Sequence, residues 1–282
     1  MLAWDGLRIW ALTDGRFALD GGAMFGIVPK PLWSRRIGAD DQNRIPMALR
    51  CLLLQTGDRL ILVDTGIGSR WSQKETAIYA IDHREQDLVR SLKAAGFAPE
   101  DVTDVVLTHL HFDHAGGALR TGADGDLGLT FGRARHHLQR RHLAWAQAAS
   151  DKDRGSFRGE DIARLMDSGQ VRLRDGGGEL APGIELVVCE GHTVAQQVVR
   201  ASDGSRTLLY CGDVVPTAAH LRLPWIMGYD LQPLATLEEK RSLLTRAAAD
   251  DWLLVFEHDP VVAACRVRSE GGQFVPSAPV EI

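Results

Sequence analysis

Between Thr108 and Gly117 the chain reads Thr-His-Leu-His-Phe-Asp-His-Ala-Gly-Gly, which places His109, His111, Asp113 and His114 within six residues. Imidazole and carboxylate donors together suit borderline divalent metals such as zinc, manganese, cobalt or iron. Residues two apart on an extended backbone point the same way, so His109 and His111 share a direction. Asp113 and His114 follow where the chain must turn, and can face a second ion. A His-rich polar surface loop would match the composition but would not require this order of donors.

Such a motif needs a rigid edge to present it. The apolar run Val102 to Leu107 reads as the strand that delivers it. Other apolar runs end in a metal-compatible residue in the same way. Ile184 to Val188 leads to Gly191-His192-Thr193, the pair Gln197 to Ala201 and Thr207 to Tyr210 leads to Gly212-Asp213, and Trp252 to Phe256 leads to Glu257-His258-Asp259. Residues at strand ends can converge on one rim. His109, His111 and His192 then form one ligand set, and Asp113, His114 and His258 a second. Asp213 supplies a carboxylate with two oxygens, suited to bridging. A pair of ions about 3.5–4 Å apart can bind and deprotonate a water, polarise a carbonyl or phosphoryl oxygen and stabilise the leaving oxyanion. That is the chemistry of ester, lactone, amide or phosphoester hydrolysis. Asp64, at the end of Arg59 to Val63, is expected to orient a histidine rather than bind metal. His83, His136, His137 and His142 show no ligand spacing and read as surface or core residues.

The remaining pattern is that of an α/β chain. Leu7 to Thr13 reads as a strand, Gly15 as a turn, and Phe17 to Leu19 as the returning strand. Met47 to Gln55 and Arg59 to Val63 form a hairpin about Gly57-Asp58. Thr130 to His136 is a further strand, and Cys265 to Val267 with Phe274 to Val275 a last hairpin. Helical spacing marks Asp87 to Ala95, Leu138 to Ala149, Gly159 to Met166 and Leu237 to Ala249. Asp20 to Trp33, rich in Gly, Pro and large apolar residues, reads as irregular. Its Met24, Phe25 and Trp33 either pack into the core or wall a substrate pocket.

The 282 residues show no linker, so one domain over 1–282 is expected. Hydrophobic residues at 45% and charged residues at 24% give the balance of an ordinary globular chain. A net charge of −5 argues against nucleic-acid binding, and no apolar stretch reaches membrane-spanning length. The N-terminus lacks a basic region followed by an apolar run, so no signal peptide is expected. Cys51, Cys189, Cys211 and Cys265 are widely spaced and read as buried thiols, which fits the cytoplasm.

Taken in order, Asp64-Thr65-Gly66, His109-x-His111-x-Asp113-His114, Gly191-His192-Thr193, Gly212-Asp213 and Glu257-His258-Asp259 resemble the metallo-β-lactamase superfamily nearly end to end. The resemblance implies an αββα four-layer sandwich with a dinuclear site at the sheet edge, holding two divalent ions, zinc foremost, with manganese, cobalt or iron as alternatives. Within the superfamily, Leu19-Asp20-Gly21-Gly22-Ala23-Met24-Phe25-Gly26, Val28-Pro29-Lys30-Pro31-Leu32-Trp33 and Met227-Gly228-Tyr229-Asp230 are similar to quorum-quenching lactonases of the YtnP type. The same neighbourhood holds methyl-parathion-hydrolase-like phosphotriesterases. Its proteins are often homodimers, and the apolar N-terminal loop would be a natural contact.

Two departures stand out. The family often continues Gly-His-Thr with Pro-Gly-His, where this chain has Val194-Ala195-Gln196. Better-known acyl-homoserine lactonases place a tyrosine three residues after the bridging aspartate, where this chain has Pro216. His220 and Tyr229 are the candidates to take its part, and with Asp113 they form the expected catalytic group. Met24, Phe25, Trp33, Trp225 and Met227 are expected to line an apolar pocket for an acyl chain. The expected reaction is attack of a hydroxide held between two metals on an N-acyl homoserine lactone or related lactone or ester. Organophosphate triester hydrolysis is the alternative, with iron-dependent redox chemistry and non-catalytic metal binding behind it.

Overall fold

In a computed structural model, which describes residues 1–122 and 125–282, the chain forms two seven-stranded sheets. The first sheet runs, in spatial order, Leu2–Trp4, Leu7–Asp20, Arg44–Thr56, Arg59–Val63, Asp104–Val106, Arg135–Gln139 and Val171–Arg174. The second runs Gly178–Ala181, Ile184–Cys189, Gln196–Ser202, Thr207–Tyr210, Leu253–Val255, Ala264–Glu270 and Gln273–Val280.

Alternation along the strands sorts side chains into layers, because successive residues point to opposite faces. Leu52, Leu54, Ile61 and Val63 face the second sheet and meet Val199, Leu208, Tyr210 and Val255 in a shared core. Their neighbours Cys51, Leu53, Leu60 and Leu62 point the other way, into a layer with Leu92, Leu143 and Ile162 from the helices Leu88–Ala94, Arg140–Gln147 and Gly159–Asp167. On the far side, Leu209, Leu254 and Phe256 pack with Leu243, Leu244 and Ala247 of the helix Pro233–Ala249. Helices, sheet, sheet and helix follow one another, so the expected αββα sandwich is the observed architecture.

Arg59–Val63, Asp104–Val106 and Arg135–Gln139 are parallel, as are Thr207–Tyr210 and Leu253–Val255. Parallel strands end on the same side, and loops beyond their carboxyl ends are where open α/β sheets build sites. Asp64, His109, Asp213 and His258 all follow such ends.

The structure differs from the sequence reading at several elements. Leu7 to Leu19 is one long strand, Leu7–Asp20, paired with Arg44–Thr56 on both sides of a bulge. Gly15, at φ 91°, sits in a register shift between Thr13 and Arg16, so it bends the strand instead of reversing it. Asp20 to Trp33 contains two short helices, Gly21–Phe25 and Lys30–Trp33, the first capped by Asp20 Oδ1 accepting from the Ala23 N–H at 2.8 Å. The strand expected at Thr130 to His136 lies at Arg135–Gln139, after a turn. All four cysteines are buried and unpaired. Among the described residues, no helix is long and apolar enough to cross a membrane.

Candidate metal centre

The His109–His114 segment is fixed by its neighbour loop. Asp64, in the left-handed region at φ 57°, accepts from the Thr108 N–H and from the Thr108 hydroxyl, both at 2.7 Å. The Thr65 N–H donates to the His114 carbonyl at 2.7 Å. The two loops approach so closely that a Cβ on Gly117 would lie 2.1 Å from the Thr65 oxygen, which explains the glycine there.

Seven buried donors then gather in two groups. One holds His109, His111, His192 and Asp213, and the other Asp113, His114 and His258. Within each, the donor atoms lie within 4.8 Å of one another. Asp213 touches both: its Oδ2 lies 3.1 Å from His192 Nε2 and 3.5 Å from His114 Nε2, while its Oδ1 lies 3.2 Å from His258 Nε2.

The outward nitrogens of four of these rings have acceptors, which turns the other nitrogen's lone pair inward. His192 Nδ1 donates to Asp230 Oδ1 at 2.8 Å, and His258 Nδ1 to the Ala48 carbonyl at 3.0 Å. His109 Nδ1 donates to Thr108 Oγ1 at 3.0 Å. His114 Nδ1 lies between Glu257 Oε2 at 3.0 Å and Asp64 Oδ2 at 3.2 Å. The inward nitrogens crowd together: His109 Nε2 is 2.9 Å from His111 Nδ1, and His114 Nε2 is 3.2 Å from His258 Nε2. Lone pairs aimed at a common point, around a carboxylate oxygen with no hydrogen-bond partner (Asp213 Oδ1), fit a cation in each group.

Electrostatics say the same. Burial, reinforced by neighbouring imidazoles, holds His109 and His111 well below the usual histidine range. Burial also opposes charge on His258, yet the Asp213 carboxylate outweighs it and lifts that ring to about 9. Burial acts against Asp213 ionising, but His114, His192 and His258 hold it well below the usual carboxylate range. The cluster therefore demands positive charge, which protons supply when metal does not.

Three supporting residues were not foreseen from sequence. Asp230 orients His192 across 38 positions. Glu257 sits beside His114, and burial lifts its carboxyl to about 8. His142, read as surface or core, bridges the two ligand loops: the Leu110 N–H donates to its Nε2 at 2.8 Å, and its Nδ1–H donates to the Val194 carbonyl at 2.8 Å. That loop carries the Val194-Ala195-Gln196 departure. Ala195 takes φ 52°, a conformation glycine adopts without strain, and Gln196 is buried with neither side-chain polar atom partnered. His192 keeps its place among the donors regardless.

A cavity of about 340 Å³ opens over the cluster, with His111, Asp113, His192, Asp213 and His258 in its floor. Met24, Met227 and Tyr229 line it, together with Met47, Tyr79 and Phe112. The other expected pocket residues lie elsewhere. Phe25 and Trp33 stack on each other at 5.3 Å, inside a core cluster that leaves them 0% and 1% exposed. Trp225 packs edge-on to Phe25 at 5.5 Å and borders a neighbouring cavity. The short helix Gly21–Phe25 turns its large residues inward, so the loop contributes Met24 alone of the three. His220 is also withdrawn. Its Nδ1 accepts from the Thr217 hydroxyl at 2.7 Å, its Nε2 donates to the Met24 carbonyl at 2.9 Å, and its ring stacks on Phe25. Burial, with Lys240 nearby, drops it to about 3, so it is a neutral strut with no proton for the cavity.

The family model described as the metallo-beta-lactamase superfamily matches residues 48–258, a span that contains all seven donors. The chain belongs to the metallo-β-lactamase superfamily. Superfamily relatives cover most of its length. A probable metallo-hydrolase of Mycobacterium tuberculosis is 27% identical over 274 residues, covering 84% of this chain and 85% of the relative. An N-acyl homoserine lactonase of Bacillus thuringiensis subsp. kurstaki is 26% identical over 241 residues, covering 78% and 85%. The crystal structure of a probable metal-dependent hydrolase from Staphylococcus aureus superposes with a TM-score of 0.87 at 27% identity, covering 98% of both chains.

Proposed function

We propose that this superfamily member is a hydrolase that holds two divalent ions, zinc foremost, and opens N-acyl homoserine lactones or related lactones and esters. One observation carries the reading. Seven buried donors gather in two groups joined by Asp213, and five of them, His111, Asp113, His192, Asp213 and His258, form the floor of a cavity with a largely apolar wall. His109, His111, His192 and Asp213 would hold one ion, and Asp113, His114, His258 and Asp213 the other. Bound there, the pair would supply an activated water and a Lewis acid for the substrate oxygen.

The chain's own residues account for the rest. Asp230, Thr108, Asp64 and the Ala48 carbonyl fix the ring orientations, so the donors need little reorganisation. Met24, Met47 and Met227 give an adaptable apolar wall for an acyl group and limit water around the scissile bond. Tyr229 is the one candidate proton handler of the expected three that reaches the cavity without being a metal ligand. Burial, with Asp113 close by, raises its hydroxyl well above the usual phenol range. It stays protonated and can donate a hydrogen bond to the carbonyl or the departing alkoxide. Lys152 and Asp153 also border the cavity, and the support for a lactone comes from its apolar methionine wall and from the lactonase relative.

Phosphotriester hydrolysis uses the same donors, so the test must separate the two. Protein loaded with zinc, manganese, cobalt or iron is assayed against acyl-homoserine lactones, simple esters and paraoxon. The expected result is the highest kcat/KM for a lactone. A higher value for paraoxon would move the assignment to phosphotriesterase.

A further inference from the structure

The stretch 222–232, which runs up to the helix Pro233–Ala249, belongs to no helix or strand, so its carbonyls have no ladder partners. Yet the centre depends on it: Met227 and Tyr229 line the chamber, and Asp230 orients His192. Two lysines supply the missing donors. Lys240, buried in the helix that follows, donates to the carbonyls of Arg222 and Trp225 at 3.1 and 2.6 Å and holds the first half. Lys152 Nζ donates to the carbonyls of Gly228, Tyr229 and Asp230 at 3.1, 2.9 and 3.2 Å and holds the second. Three consecutive carbonyls thus converge on one ammonium, which matches its three protons.

Lys152 reaches them from another part of the chamber rim, 76 to 78 positions earlier in the chain. Its own segment is anchored. Buried Asp153 accepts from the Trp145 indole N–H of the helix Arg140–Gln147 and from the Ser150 hydroxyl, both at 2.7 Å, and Asp153, Gly155 and Ser156 border the chamber. The far end of the link is anchored too: the Leu231 and Gln232 N–H groups donate to the His192 and Gly191 carbonyls at 3.0 and 2.8 Å. The ammonium therefore ties a rim seated on the first sheet's helices to a loop seated on a ligand loop of the second sheet.

We propose that Lys152 is a positioning residue of the centre, whose ammonium sets where the Asp230 carboxylate and the Tyr229 hydroxyl stand. It acts through those two residues and handles no proton of the reaction. The part exerted through Tyr229 rests on the hydrolase reading above, whereas the part exerted through Asp230 needs only bound zinc. An ordinary exposed lysine leaves its protons to water, but here all three go to the backbone of one turn. Hydrogen bonds from a charged donor are also stronger than those from a neutral one. Water could replace each bond singly, but no water carries the covalent link to the rim at Asp153.

The test removes the ammonium and keeps the stem with Lys152→Met, a change at an exposed position. Zinc affinity is measured by chelator competition in the native protein, Lys152→Met, Asp230→Ala and the double variant. Lys152→Met is expected to weaken zinc binding about three- to tenfold, less than the loss of Asp230 itself, and to add nothing once Asp230 is gone. Unchanged affinity, or the same fold-loss in both backgrounds, overturns the proposal. With zinc-loaded protein and an acyl-homoserine lactone, Lys152→Met should lower kcat about tenfold, hold KM within about twofold, and have little further effect in Tyr229→Phe. An unchanged kcat, or an equal fall in the Tyr229→Phe background, also overturns it. If the native protein turns over no lactone, the reading of the reaction fails and the zinc cycle alone decides the role of Lys152. Should Lys152→Met not fold, Lys152→Arg, which keeps the charge but spreads its donors over a plane, takes its place under the same criteria.

Discussion

Asp230 Oδ1 stands 2.8 Å from His192 Nδ1, with both residues buried, and the same loop returns the Leu231 N–H to the His192 carbonyl at 3.0 Å. The carboxylate sets the tautomer of the ring and strengthens Nε2 as a donor. Asp230→Ala should weaken zinc binding by roughly 10–100-fold, with Asp230→Asn in between because it can still accept the N–H. Competition with a chromophoric chelator measures it. Affinity unchanged in the alanine variant would mean that His192 needs no such orientation.

His142 is predicted to act on the distance between the two ligand loops. His142→Phe preserves the bulk but strands the Leu110 N–H and the Val194 carbonyl. Each unpartnered buried group costs about 1–3 kcal/mol, so the melting temperature should fall by several degrees. Zinc affinity should fall with it, while His142→Gln, which can still both accept and donate, should recover part of each.

Tyr229→Phe separates proton handling from metal binding. The seven donors assigned to the metals are histidines and aspartates, so metal content should stay at the native level. Loss of a hydrogen bond made in the transition state should lower kcat for lactones by roughly a hundredfold. His220→Asn offers the contrast: its effect should appear in thermal stability, since its ring nitrogens face Thr217 and Met24.

Away from the centre, Asp104 predicts a pH effect. Burial works against its ionisation, but His137, Arg59 and Thr103 outweigh it and hold the carboxyl well below the usual range. A carboxylate with a depressed folded pKa contributes stability that is full above its unfolded value, near 4, and fades as pH falls toward the folded value. Asp104→Asn should therefore cost roughly 2–3 kcal/mol at pH 7. The gap between the two proteins should narrow as the pH drops below about 4, measured by urea unfolding at each pH.

How far the sequence speaks for the fold follows from the range of each signal. His109 to His114 is legible because four donors share one turn. His192, Asp213 and His258 become legible only together, as single residues at successive strand ends. Asp230 and His142 leave no local trace, since their partners lie 38, 32 and 52 positions away and only the packing of the two sheets joins them. Phe25, Trp33 and His220 show the opposite failure. Large apolar residues in an irregular stretch suggest a pocket wall, but composition cannot say which face turns inward. Gly15 suggests a reversal, yet a long pairing with Arg44–Thr56 on the next strand absorbs it as a bend.

The central claim is that Asp213 joins two metal sites into one hydrolytic centre. It is tested most directly by titrating chelator-stripped protein with zinc while following both binding and lactone hydrolysis. Two equivalents per chain, with turnover returning as they bind, is the predicted result, and Asp213→Ala should weaken both sites at once. Full hydrolysis in the stripped protein, or saturation at one equivalent with full activity, would contradict it.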